Sequence, residues 1–131
     1  MKKMILLFCC LLGALSLQAQ SFRLVFPEDI PASAAEVLTQ RFSQMLQGGG
    51  FKLADDGVPI TLTSKIVSRD VTQGALGQVA LEIELCADAG KAAETFVIKG
   101  VGDDDADAWV RAAKQLLPRS KTAQNFVQKL K

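Results

Sequence analysis

Residues 78–87 alternate without a break: Val79, Leu81, Ile83 and Leu85 fall on one side, Glu82 and Glu84 on the other. A period of two sends successive side chains to opposite faces of a sheet, so this segment is a strand with one dry and one wet face. Its neighbours repeat the pattern. Residues 60–69 set Ile60, Leu62 and Ile66 against Thr61, Thr63, Lys65 and Arg69, and residues 94–100 turn Phe96 and Ile98 inward. Residues 70–77 contain two glycines and read as a long hairpin connection, and residues 87–91 read as a tight turn. Three strands so joined make an antiparallel meander, and a sheet of this kind must be covered on one face and open on the other.

The cover is legible too. A short first strand over residues 22–26 turns Phe22, Leu24 and Phe26 inward before Pro27 stops it. Ser33 and Glu36 have the spacing of a capping box, and Ala35, Leu38, Phe42, Met45 and Leu46 follow as one helical stripe. Gly48, Gly49 and Gly50 end that helix, since glycine accepts the left-handed backbone that a helix end wants. A second helix opens within residues 102–107, buries Ala106, Trp109, Ala113, Leu116 and Leu117, and stops at Pro118. Residues 121–131 form a closing helix anchored by Phe126, Val127 and Leu130. The order β-α-β-β-β-α-α, with a right-handed crossover between the first two strands, predicts an α+β two-layer sandwich. Its sheet is mixed but mostly antiparallel, of about four strands, with every helix on one face.

The first residues follow a different logic. Lys2 and Lys3 precede an apolar run from Met4 to Leu17, which is 14 residues long against the roughly 20 that a bilayer span needs. Leu17, Gln18 and Ala19 then offer a small residue at a cut, so the reading is a signal peptide of residues 1–19, cleaved after Ala19. Cys9 and Cys10 do not make a lipid-attachment site, because Phe8 rather than a small residue precedes Cys9 and only a short apolar stretch lies ahead of it. What remains, residues 20–131, is a single domain of 112 residues with 13 basic and 14 acidic side chains. A domain of that size buries about two-thirds of its unfolded surface and folds without staples. The expected location is the periplasm or the outside of the cell, with no stable membrane span after cleavage. Cys86 is the one cysteine left. It is a free thiol that gives the oxidised protein a route to a disulfide-linked homodimer.

Chemistry is constrained mainly by what is missing. The chain has no histidine, which removes the usual general base, the commonest zinc ligand and the Ser-His-Asp triad together. A net charge of +1 gives no electrostatic case for nucleic acid. Gly100 and Gly102 hint at a dinucleotide loop, but Asp103, Asp104 and Asp105 follow where a phosphate would sit. Asp103, Asp105 and Asp107 start a calcium-loop rhythm that Ala108 and Lys114 break, where glycine and glutamate belong. Glu82 and Glu84 share a strand face as a glycosidase pair does, yet cross-strand ion pairs account for them at lower cost. No catalytic residue, cofactor or metal ligand is expected, and the protein is read as non-enzymatic.

The open face of the sheet is what is left. Alternation gathers Arg23, Val25, Thr63, Lys65, Val67, Glu82, Glu84, Val97 and Lys99 there, flanked by Thr61, Ala80 and Thr95. Valines interleaved with charges suit a protein partner. The alternative is a carrier or sensor that holds a small apolar ligand between helices and sheet.

Several strings also resemble known proteins. Residues 24–31, ahead of the first helix, are similar to the start of uncharacterised secreted bacterial envelope proteins. So are residues 96–102, then Ala106, Val110 and Ala113, then Phe126 and Val127. In element order the chain is loosely similar to TolB amino-terminal and CsgG-like α+β domains. The resemblance implies an accessory or scaffold role through contact with another cell-envelope protein, and it transfers no catalytic residue.

Overall fold

A computed structural model describes residues 20–72 and 77–131. The signal peptide expected at residues 1–19, with its expected cleavage after Ala19, lies outside the described residues, as does part of the connection read at residues 70–77. Among the described residues, five strands and three helices run β1 (Ser21–Val25), α1 (Ala32–Gly48), β2 (Lys52–Leu53), β3 (Val58–Thr72), β4 (Gln78–Asp88), β5 (Ala93–Gly102), α2 (Asp105–Lys114) and α3 (Lys121–Leu130). The sheet order is β2-β1-β3-β4-β5. β1 is parallel to β3 across the α1 crossover, and β3, β4 and β5 are antiparallel, as the alternation and the handedness rule require.

The helices cover one face. Phe22, Ile60, Leu62, Leu81, Ile83, Leu85, Phe96 and Ile98 of the sheet meet Leu38, Phe42, Leu46, Trp109, Ala112, Phe126 and Leu130, all buried. Phe42 from α1, Phe96 from β5 and Phe126 from α3 form a triangle of edge-to-face rings with centroids 5.7, 6.4 and 6.2 Å apart. That geometry suits the quadrupoles of the rings and fastens three elements at one point. α2 approaches more closely still. Gly100 and Gly102 lie on the covered face of β5, and a Cβ on either would run into the backbone of α2 near Ala108. The Gly-x-Gly pair therefore serves helix-on-strand packing rather than a phosphate.

Helix α1 starts differently from the capping-box expectation. Pro31 is the N-cap, in an extended conformation, and no side chain caps the helix. Ser33 and Glu36 sit exposed within the first turns, because the rigid proline has already set the entry and the Ala35 N–H bonds to the Pro31 carbonyl at 2.9 Å. Its other end behaves as read. Gly50 is left-handed with φ of 84°, the Phe51 N–H reaches the Leu46 carbonyl at 2.8 Å and the Gly50 N–H reaches Gln47 at 3.1 Å. This is a Schellman closure, and it aims the Phe51 ring at Phe22, edge to face at 5.3 Å.

The structure departs from the sequence expectation at four further places. β2, only two residues long, was not anticipated, since so short a strand shows no period. Ile66 has the inward parity, in register with the buried Ile83, but is 49% exposed, because the helical cover at that level reaches β4, where Val79, Leu81 and Ile83 stay buried, and not β3. Ala106 is exposed and Ala108 takes its place in the core. Leu117 is 58% exposed, because α2 ends at Lys114 and the chain has left the helical stripe before Pro118.

Candidate functional site

The open face is built from cross-strand rows. β3, β4 and β5 place Thr63, Cys86 and Thr95 in one row and Lys65, Glu84 and Val97 in the next. Ser68, Glu82 and Lys99 follow, then Asp70, Ala80 and Val101. Charge alternates with β-branched carbon along this surface. Val97 and Val101 are 58% and 48% exposed, and Glu82 pairs with Lys99 across the ladder at 3.4 Å. The two glutamates are thus divided between different rows, Glu82 engaged with a lysine and Glu84 in register with Lys65.

Of the residues anticipated for this face, Thr63, Lys65, Glu82, Glu84, Val97 and Lys99 are brought together in these rows. Arg23 and Val25 lie one strand further on, in register with Pro59 and Thr61. Val67 is exposed but stands in a β-bulge between Ile66 and Ser68, outside the paired ladder. A bulge inserts one residue and reverses the parity beyond it. Arg69, expected on the open face, accordingly faces the same way as its partner Leu81, on the covered side. There its guanidinium binds the Asp105 carboxylate at 2.9 and 3.3 Å. Ser68 and Asp70 replace it on the open face. Val101 also belongs there, because β5 continues through Gly102 rather than stopping at Gly100. The adjacent apolar letters Ile66 and Val67 were the available sign of the bulge.

An open groove of about 740 Å³ is lined by Ser68, Asp70, Glu82 and Lys99 of the rows together with Val110 and Arg111 of α2. The acids at the start of α2 do not converge on a cation. The Asp104 carboxylate caps the helix by accepting from the Asp107 N–H at 2.7 Å, and Asp105 is held by Arg69. Asp107 accepts from the Asp103 N–H at 3.0 Å and from Arg111 at 3.3 Å. The first of these bonds, helped by the Arg111 charge, holds the Asp107 carboxyl below its ordinary range against a smaller opposing effect of desolvation. Among the described residues no group of three or more His, Cys, Asp or Glu side chains is placed to hold a metal ion. Cys86 is a half-buried free thiol, flanked by Thr63 and Thr95 in its row. Among the described residues no helix is long and apolar enough to cross a membrane.

No family model matches the chain, and no curated protein matches it. Among solved structures, a minor lipoprotein from Acinetobacter baumannii is similar at 14% identity and a TM-score of 0.47, covering 85% of this chain and 91% of that one.

Proposed function

We propose that this protein is an exported, non-enzymatic interaction module that binds another cell-envelope protein through the open face of its sheet. The observation that carries the reading is the row structure. Val97 and Val101 stand exposed among Lys65, Glu84 and Lys99 on the face opposite the one that the described helices pack against. Apolar side chains set among charges suit a moderately polar protein interface, in which the charges choose the partner and the valines supply dry contact. The rival reading, a carrier of a small apolar ligand, needs space where Phe42, Phe96 and Phe126 pack edge to face.

Crosslinking in intact cells with a C-terminally tagged chain tests the proposal. A specific envelope protein should be captured, and Lys65→Glu or Lys99→Glu should cut its yield roughly tenfold, the scale of one unfavourable charge in an interface. Capture that ignores both substitutions would remove the open face from the account.

A further inference from the structure

The charges of this domain are sorted along the chain. Residues 20–107 carry seven basic and fourteen acidic side chains, whereas residues 108–131 carry six basic and no acidic ones. A nearly neutral total thus conceals a strongly cationic C-terminal part made of most of α2, its connection to α3, and α3. Two of its cations are engaged locally, Arg111 with Asp107 at 3.3 Å and Lys129 with Glu94 at 2.8 Å. Among the described residues no carboxylate pairs with Arg119, Lys121 or Lys131.

Arg119 and Lys131 border a concave surface. Grooves of about 760 and 530 Å³ meet around the α2–α3 connection and share Met45, Gly48, Pro118 and Arg119. The C-terminal turn of α1 forms one wall, and Gly49 keeps it close to α3, since a Cβ there would strike the Val127 side chain. Met45 and Val127 offer an apolar floor, and Leu117 stands exposed at the rim. Cations around an apolar hollow are complementary to carboxylates around an apolar side chain. Arg119 adds a planar fork of donors that matches a carboxylate.

We propose that this groove docks an extended acidic segment of a partner polypeptide. One apolar side chain of the segment seats on Met45, Pro118 and Leu117, and flanking carboxylates meet Arg119 and Lys131. A bilayer surface is the weaker occupant, because it is flat and would touch the rim while leaving the floor uncovered. The groove lies in the helical layer, away from the open face of the sheet, and stands or falls independently of the role proposed for that face.

Fluorescence anisotropy of a labelled short peptide of alternating glutamate and leucine, titrated with the purified chain, tests this. Saturable binding is expected at low salt. It should weaken roughly tenfold or more in the Arg119→Glu/Lys131→Glu double variant, and again as salt rises from about 0.05 to about 0.5 M. The milder Arg119→Gln/Lys131→Gln pair should show a smaller loss of the same sign, and circular dichroism should report an unchanged fold for both. Lys65→Glu/Lys99→Glu, on the open face, should bind normally, and a lysine–leucine peptide should not bind. Failure of the acidic peptide to bind would overturn the proposal, as would binding indifferent to the groove variants or equally sensitive to the open-face pair. Sedimentation with phosphatidylglycerol vesicles in the absence of peptide binding would overturn it in favour of a membrane contact.

Discussion

Gly100 sits where β5 and α2 come closest, and a methyl group there would need the space of the Ala108 carbonyl oxygen and the Ala112 nitrogen. Both are backbone atoms of a helix pinned by Trp109 and Ala113 in the core, so neither can swing aside as a flexible side chain would. Gly100→Ala should therefore destabilise the domain by about 1–3 kcal/mol, read as a lower denaturation midpoint at unchanged slope. Asp107 governs a different variable. Its folded-state affinity for a proton is reduced, so the unfolded chain binds the proton more readily and stability rises with pH through that range. The contribution is present above the ordinary carboxylate value of 3.8 and is lost as pH falls through the lower folded value. Melting temperatures followed from about pH 5 down to about pH 2 should fall more steeply for the natural chain than for Asp107→Asn. Parallel curves would show that the carboxylate is not the group responsible.

At the scale of elements, the aromatic triangle joins α1, β5 and α3 through one residue from each. Phe126→Ala should cost about 3–5 kcal/mol in chemical denaturation, because it removes two edge-to-face contacts and leaves a hole between packed helices. A loss near the bottom of the usual range for surface changes would mean that α3 is only loosely attached. That Phe42, Phe96 and Phe126 face the core was readable beforehand from helical and strand period, but their meeting at one point was not. The meander and the glycine-terminated end of α1 were readable as well. The start of α1 was not, because a proline N-cap and a capping box compete for the same few residues and only backbone geometry separates them. The bulge in β3 was not read either. Period-two reasoning assumes one residue per pleat, so a single inserted residue misdirects every side chain after it, and Arg69 went to the wrong face for that reason.

Across the whole molecule, the two candidate surfaces differ in how far the sequence exposes them. The open face is a property of three neighbouring strands, so alternation within each was enough to collect most of its residues. The groove draws on Met45, Pro118, Val127 and Lys131, which are far apart in the chain and meet only after the helices pack. No local pattern assembles it, although the absence of acids after Asp107 was visible as a composition bias. The same topology has a consequence in time. β3, β4 and β5 are joined by short links and can zip as they form, whereas β1 must wait for α1 to cross over before it finds β3. Pairing that closes a long loop is entropically slower than pairing of adjacent strands. The amino-terminal strand is thus expected to dock after the meander and to bring β2 with it, since β2 pairs with β1 alone, and until then the β3 edge that carries Ile60 and Leu62 is open to a foreign strand.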